Sequence, residues 1–202
     1  MKYNLWKRNP NVDADFALEV RRHYAGCVTY ADALVGRILA KLEQLKLRDD
    51  TIVLLWGDHG WHLGEHAIWG KHALFEESLR SPLVISYKGI PKPGEASYSV
   101  VETLDVFPTV CDLAGLDKPD FLQGQSLIPI LNNPKAQGHP AIAYRGDAQT
   151  IRTSTHRLIV HRGGELELYD HTTPQGETKN LADVQPEKAA ELLRQLKARL
   201  EK

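Results

Sequence analysis

The chain has 202 residues, enough for one large domain or for a domain with a smaller companion. Lysine and arginine total 25 against 26 aspartate and glutamate residues, and this balance argues against a nucleic-acid-binding or polybasic membrane-binding surface. No apolar stretch reaches the length of a membrane span, and two cysteines are too few for a disulfide framework. We therefore expect neither nucleic acid nor a membrane as a partner, and the cellular compartment stays open.

The first predicted element is a long helix that ends near residue 45. Its apolar residues recur every three or four positions on one face: Val20, Tyr24, Cys27, Ala31, Leu34, Ile38, Leu42 and Leu45. Because Cys27 lies on this stripe, we expect its side chain to be a small core residue rather than a reactive thiol. Gly26 and Gly36 lower the helix propensity, so we expect close packing against a neighbour there.

The next element, residues 51–55, is an uninterrupted run of β-branched and aliphatic residues. Such a run predicts a strand that is buried on both faces, as in a parallel sheet. Asp58 and His59 follow directly after Gly57, at the carboxyl end of the strand, where ligands bind in open α/β sheets. A carboxylate beside an imidazole suits a metal, and Lys71 adds a cation for an anionic substrate. The alternative is a polar turn in which His59 is merely hydrogen-bonded.

Three interpretations compete for the histidines around this turn. The segment from His62 to His66 matches H-x-x-E-H, an inverted zinc-protease motif that requires a regular helix, which the nearby glycines disfavour. Alternatively, Asp58, His59 and Lys71 form half of a metal-assisted ester-cleaving site. In the third interpretation the histidines only line a polar loop.

An irregular segment rich in proline and glycine, residues 117–140, separates the longer elements of the first half from shorter, strand-like runs in the second half. We call this segment the crossing. The predicted elements around it are a short helix at 73–80, a strand at 83–87, a helix at 102–116 capped by Gly115, four short strands within 141–169 and a helix from Pro186. Short strands with tight turns predict an antiparallel meander on which the last helix docks. We predict two domains, residues 1–135 and 136–202.

Several blocks of sequence occur in a specific order along the chain. They are LLWGDHGWHLGEH at 54–66, WGK at 69–71, SLRSPLVI at 78–85, ETLDVFPTVCDLAGL at 102–116, QGQSL at 123–127, and ELYD at 167–170 with Glu177 and Asn180-Leu181 after it. Together they resemble the second half of a type I sulfatase of the alkaline-phosphatase-like superfamily. Many sulfatases have asparagine where this chain has His59, which favours the iduronate-2-sulfatase-like branch; phosphonate monoester hydrolases of the superfamily are also similar.

The resemblance implies both a fold and a site. The fold would be the C-terminal portion of a mixed, largely parallel α/β sheet with flanking helices, followed by a small antiparallel sheet with a C-terminal helix. Asp58 and His59 would bind a divalent cation, usually Ca²⁺, with Mn²⁺, Mg²⁺ or Zn²⁺ as alternatives because histidine nitrogen is an unusual ligand for Ca²⁺. Lys71 would be catalytic and contact the sulfate, and His66 would bind substrate. The reaction would be hydrolysis of a sulfate ester on a small molecule or saccharide.

Two features of the family are missing from the sequence. Sulfatases make a formylglycine nucleophile from the Cys or Ser of a C/S-x-P-x-R motif, and they carry an Asp-Asp pair at the end of their first strand. No C/S-x-P-x-R motif is present here, and the only Asp-Asp pair, residues 49–50, precedes its strand instead of following it. We therefore expect the C-terminal part of a larger enzyme, inactive alone, whose partner is a missing N-terminal half that carries the formylglycine. Family resemblance implies a periplasmic, secreted or lysosomal parent. The alternatives are a non-catalytic partner subunit and a phosphonate or phosphate ester hydrolase.

Overall fold

A computed structural model describes residues 4–201, which fold as two compact units. The first unit comprises the chain up to Lys71 together with residues 80–88, and the second comprises residues 72–79 and the chain after residue 88. The predicted domain division at 135/136 stays a prediction, and its ends, residues 1–3 and 202, lie outside the described residues. None of the helices within residues 4–201 combines the length and apolar character that a membrane crossing requires.

The first unit contains one long helix and two small antiparallel sheets. Its elements in chain order are α1 (Ala14–Gln44), β1 (Val53–Trp56), β2 (His62–Leu63), β3 (Trp69–Gly70) and β4 (Leu83–Ser86). Strand β1 pairs with β4, and β2 pairs with β3. The short helix α2 (Glu76–Leu79), which lies between β3 and β4 in the chain, belongs to the second unit.

Most of the apolar stripe of α1 is exposed within the described residues. Asp13 caps the helix with a side-chain hydrogen bond, yet only one helical residue is buried. Cys27 is exposed, and nothing lies within 4 Å of a Cβ built on Gly26 or Gly36. The predictions of a buried Cys27 and of close packing at the two glycines are therefore wrong for this structure, because helical spacing identifies an apolar face without specifying what packs on it.

Strand β1 is also more open than its sequence predicts. It pairs with β4 in the antiparallel direction. Leu55 and Trp56, at the end of the strand, are 43% and 41% exposed. The expected burial of residues 51–55 on both faces is therefore wrong for the described part of the chain, where every strand pairing is antiparallel.

The second unit has the predicted antiparallel meander and C-terminal helix. After α2 its elements are α3 (Val106–Ala114), α4 (Ile128–Asn132), β5 (Ala141–Arg145), β6 (Ala148–Arg152), β7 (His156–Val160), β8 (Leu166–Asp170) and α5 (Pro186–Leu200). The four strands pair in chain order, and α5 packs on them through a buried apolar cluster of Ile151, Leu158, Leu168, Ala189, Leu192 and Leu196. The predicted mixed α/β class, with a small antiparallel sheet and a C-terminal helix, is confirmed.

Two glycines let the chain turn and pack closely in the irregular segment that follows α3. Gly115 ends the helix with φ of 67°, the left-handed conformation predicted for a glycine cap. Gly124 approaches the chain before α3 so closely that an added Cβ would lie 2.0 Å from the carbonyl oxygen of Leu104. The crossing that sequence composition predicts as irregular is therefore packed tightly against the start of α3.

A fully buried carboxylate organises this packing. The Oδ2 atom of Asp105 accepts hydrogen bonds from the Glu102 amide at 2.7 Å and from His139 Nε2 at 2.8 Å. Its Oδ1 atom accepts one from the Gln125 amide at 2.7 Å. A buried carboxylate is tolerated when donors satisfy it, and these three donors come from three separated segments of the second unit.

Candidate active site

The candidate site starts where β1 ends. The amide of Gly57 donates to the carbonyl of Pro82 at 3.0 Å, and a Cβ on Gly57 would lie 3.0 Å from Pro82 Cδ. A larger residue at this position would push the two strands apart, so glycine permits this close approach. Asp58 and His59 then leave the sheet at the carboxyl end of β1, as the sequence predicts.

The side chains of Asp58, His59 and Lys71 meet at one atom, His59 Nε2. This nitrogen lies 2.5 Å from Lys71 Nζ and 3.3 Å from Asp58 Oδ2. The other ring nitrogen, Nδ1, lies 2.8 Å from the carbonyl oxygen of Gly60, which assigns the hydrogen to Nδ1. His59 Nε2 is then the acceptor for the lysine ammonium, which can only donate. The proximity of the three predicted residues is thereby established.

Asp58 and His59 fit a shared metal ion as a pair. Their ligand atoms are 3.3 Å apart, a separation compatible with two donors that each lie roughly 2.0–2.5 Å from one cation. The Asp58 side chain is 75% exposed, so its second oxygen is accessible to solvent. Among residues 4–201, no third histidine, cysteine or carboxylate forms a tight group with them. The pair can thus supply part of a coordination sphere.

The H-x-x-E-H segment does not form the helix that a zinc-protease motif requires. His62 lies in strand β2, and Gly64, His66 and Ala67 have φ angles of 123°, 54° and 56°. His62 is fully buried, with Nδ1 3.2 Å from the carbonyl oxygen of Gly70. The ring of His66, an exposed residue, lies 5.9 Å from that of His62. The substrate-binding role of His66 stays a prediction.

Polar residues near the start of the chain support the loop between His59 and Lys71. Arg21 Nε donates to the Leu63 carbonyl at 3.0 Å, and its guanidinium lies 5.1 Å from the Trp69 ring centroid. Asn11 donates to the Ala67 carbonyl at 3.0 Å and accepts from Trp69 Nε1 at 2.7 Å. Sequence analysis missed these residues because an arginine and an asparagine with no local motif are typical of solvated positions.

The chain matches two profiles of one enzyme family. Residues 2–116, more than half of the chain, match the family profile described as Sulfatase. The chain belongs to the sulfatase family. Residues 64–202 of this sulfatase-family chain also match the profile described as N-sulphoglucosamine sulphohydrolase, C-terminal. Both profiles contain Lys71, and the first contains Asp58 and His59.

Several curated relatives are 30–33% identical to this sulfatase-family chain over the aligned residues. A sulfatase of Formosa agariphila is 30% identical over 162 residues, with coverage of 79% of this chain and 32% of the relative. The N-acetylglucosamine-6-O-sulfatase of Bacteroides thetaiotaomicron is 33% identical over 79% of this chain and 31% of its own length. Human iduronate 2-sulfatase is 33% identical over 54% of this chain and 24% of its own length. Because relatives with different activities are similarly close, assignment to the iduronate-2-sulfatase-like branch stays a prediction.

Solved structures match as well. A protein solved in complex with its substrate D-glucosamine-2-N,6-O-disulfate superposes with a TM-score of 0.79 at 30% identity, covering 86% of this chain and 39% of that one. The phosphonate monoester hydrolase of Agrobacterium radiobacter gives a TM-score of 0.78 at 24% identity, covering 90% and 41%, which shows the shared fold alone. The chain spans about a third of the length of the curated relatives it matches.

Proposed function

We propose that this chain supplies the metal-binding and sulfate-binding side of a sulfatase active site. The proposal rests on two groups that surround the His59 imidazole at the end of β1. The Lys71 ammonium lies 2.5 Å from His59 Nε2, and the Asp58 carboxylate lies 3.3 Å from it. The substrate class we propose is a sulfated sugar. Support comes from the names of similar proteins, an N-acetylglucosamine-6-O-sulfatase and a protein bound to a glucosamine disulfate.

Within this proposal, Asp58 and His59 would hold the divalent cation. When bound, such a cation supplies Lewis-acid polarisation of the sulfate oxygens. We keep Ca²⁺ as the first candidate and Mn²⁺, Mg²⁺ or Zn²⁺ as alternatives, because the carboxylate suits hard cations and the imidazole suits Mn²⁺ and Zn²⁺. His59 Nε2 has one lone pair, which accepts from Lys71 in the structure, so the nitrogen can ligate a cation only after Lys71 withdraws.

Lys71 is the proposed catalytic contact with the sulfate group. Its ammonium would neutralise negative charge that develops on the sulfate oxygens as the ester bond breaks. Withdrawal from His59 would let the Lys71 ammonium donate a hydrogen bond to those oxygens. We assign the nucleophile, a formylglycine, to a segment outside these 202 residues, because no cysteine or serine here stands in a C/S-x-P-x-R sequence.

The metal assignment predicts weak binding by the chain alone. Two protein ligands are far fewer than the six to eight that Ca²⁺ prefers, so calorimetric titration with Ca²⁺ or Mn²⁺ should give a Kd of roughly 10⁻⁴ M or weaker. Asp58→Asn and His59→Ala should each abolish the binding heat. The matched control is Asp50→Asn, which removes an equal charge at the other end of the β1 segment. Submicromolar Ca²⁺ affinity, or binding that survives both substitutions, would contradict the assignment.

The activity assignment predicts that the 202-residue chain alone releases no sulfate from an aryl sulfate or from glucosamine 6-sulfate. The product of the full reading frame should release sulfate from both, and more rapidly than it cleaves an aryl phosphonate.

Turnover by the 202-residue chain that disappears in a Cys27→Ala/Cys111→Ala double variant would overturn the placement of the nucleophile. A faster phosphonate reaction would favour the phosphonate hydrolase alternative, and a full-length product inactive on every ester would favour a non-catalytic subunit.

A further inference from the structure

Trp69 on β3 is held by three side chains of its own unit. The side-chain amide of Asn4 donates to the Trp69 carbonyl at 2.8 Å. The indole Nε1 atom donates to Asn11 Oδ1 at 2.7 Å, and the guanidinium of Arg21 lies over the ring, 5.1 Å from its centroid. A guanidinium at this distance is attracted to the electron-rich face of an indole. These contacts restrain both the backbone and the ring of Trp69.

Arg21 also contacts the strand that pairs with β3. Its Nε atom donates to the carbonyl of Leu63 at 3.0 Å, and Leu63 lies directly opposite Trp69 in the β2–β3 ladder. The amide of Leu63 in turn donates to Glu65 Oε2 at 2.6 Å. One side chain on α1 therefore contacts both strands of this two-residue ladder.

The turn between β2 and β3 has a backbone conformation that needs such support. Gly64, His66 and Ala67 have φ angles of 123°, 54° and 56°, a region that residues other than glycine rarely adopt. Strained backbone of this kind persists where the surrounding structure holds it. Asn11 donates to the Ala67 carbonyl at 3.0 Å, and an added Cβ on Gly64 would lie 2.9 Å from Arg21 Nη2. Asn11 and Arg21 thus pack directly against the turn.

Gly70 carries the restraint from Trp69 to Lys71. It pairs with His62 in the ladder, and its carbonyl oxygen lies 3.2 Å from Nδ1 of this fully buried histidine. The backbone from which the Lys71 side chain extends is therefore fixed on both preceding residues. From this backbone the Lys71 ammonium reaches His59 Nε2 at 2.5 Å.

Direct contact with an anionic substrate is an alternative role for Arg21, which is exposed. Its guanidinium, however, already donates to the Leu63 carbonyl and lies over the Trp69 ring. Both contacts are with the protein's own β2–β3 pair. This orientation favours a role in holding the loop over a role in binding substrate.

We propose that Trp69, held by Arg21 and Asn11, is a positioning residue that places the Lys71 ammonium for its contact with the sulfate group. The inference rests on the proposed function of Lys71. Only Gly70 separates Trp69 from Lys71, so a shift of the indole moves the backbone that carries the lysine. Displacement of a charge contact by about 1 Å is enough to cost up to roughly 100-fold in rate.

A double-mutant cycle tests whether Arg21 acts through Lys71. Arg21→Met keeps an unbranched side chain but removes the charge over Trp69 and the donor to Leu63. In the product of the full reading frame it should lower kcat for an aryl sulfate roughly fivefold to tenfold and change KM by less than about twofold. In a Lys71→Ala background the same change should alter kcat/KM by less than about twofold. Arg21→Lys keeps a cation for the indole and should give an intermediate rate, whereas Arg22→Met, at the next exposed position of α1, should leave kcat unchanged.

A second measurement does not depend on activity. Hydrogen exchange of residues 63–70 should accelerate roughly tenfold or more in Arg21→Met, because each strand of the β2–β3 pair loses a contact, while exchange in α5 stays unchanged. In Arg22→Met, exchange of residues 63–70 should match that of the parent.

Unaltered exchange in 63–70, an unaltered kcat, or an equal loss of kcat/KM in the presence and absence of Lys71 would overturn the positioning role. A rise in KM that persists without Lys71 would also overturn it, because Arg21 would then contact the substrate directly. An undiminished Lys71→Ala enzyme would instead overturn the proposed function, so the two failures can be told apart.

Discussion

Replacing Lys71 with alanine in the product of the full reading frame should lower kcat/KM for sulfate esters by about 100-fold or more. The ammonium at this position is proposed to meet charge that is larger in the transition state than in the ground state, and lost contacts of this kind usually cost about 10²–10³-fold. Because the loss concerns the transition state, most of it should appear in kcat. Lys71→Arg retains the charge in another shape and should give an intermediate rate.

Two control substitutions separate the loss of a catalytic contact from a non-specific loss of folding or activity. Lys92→Ala removes an exposed lysine that pairs only at the surface with Glu95, and it should leave kcat/KM unchanged. His66→Ala should cost less than Lys71→Ala if His66 merely shapes its loop. A Lys71→Ala enzyme that is folded, as judged by its melting temperature, and within about twofold of the parent would remove Lys71 from the site.

Asp105→Ala should destabilise the second unit by about 3–5 kcal/mol. The substitution removes a carboxylate that is fully buried and leaves the Glu102 amide, the Gln125 amide and His139 Nε2 without their acceptor. The Glu102 hydrogen bond is buried and the other two are partly buried, and a buried donor that loses its partner carries a desolvation penalty of about 1–3 kcal/mol. The loss of unfolding free energy should therefore be several-fold larger than that caused by an ordinary surface substitution.

Chemical denaturation of the 202-residue chain, followed by a signal from the second unit, measures this difference. The matched control is Asp147→Ala, which removes a carboxylate between β5 and β6 that pairs with Arg162 at the surface. That control should change the free energy of unfolding by less than about 1 kcal/mol. A loss below about 1 kcal/mol in Asp105→Ala would show that the three donors find other acceptors, and that the carboxylate does not organise the crossing.

Local sequence patterns predicted the parts of this structure that depend on neighbouring residues. The alternation and turn residues of 141–169 predicted the meander, Pro186 predicted the start of α5, and Gly115 predicted the end of α3. The proximity of Asp58 and His59 follows from adjacency at a strand end. Lys71 reaches His59 across the antiparallel β2–β3 pair, 12 positions further along the chain, and adjacency does not specify that approach.

Long-range partners could not be predicted in this way. Arg157 binds Glu76, which lies 81 positions away, and nothing in either local sequence indicates the pairing. The stripe on α1 illustrates the reverse case, because its spacing predicts an apolar face, yet Cys27 on that face is exposed in the described structure. Burial depends on what packs against a surface, and a single sequence without long-range contacts does not specify that.

The most direct test of the proposed site is anomalous diffraction from crystals of the full-length product soaked with Mn²⁺ and sulfate. The expected result is one Mn²⁺ peak within roughly 2.5 Å of both Asp58 Oδ2 and His59 Nε2, with Lys71 Nζ turned from His59 to a sulfate oxygen. A Mn²⁺ peak bound elsewhere in the active site, with Asp58 and His59 unliganded and Lys71 still hydrogen-bonded to His59, would contradict the proposal.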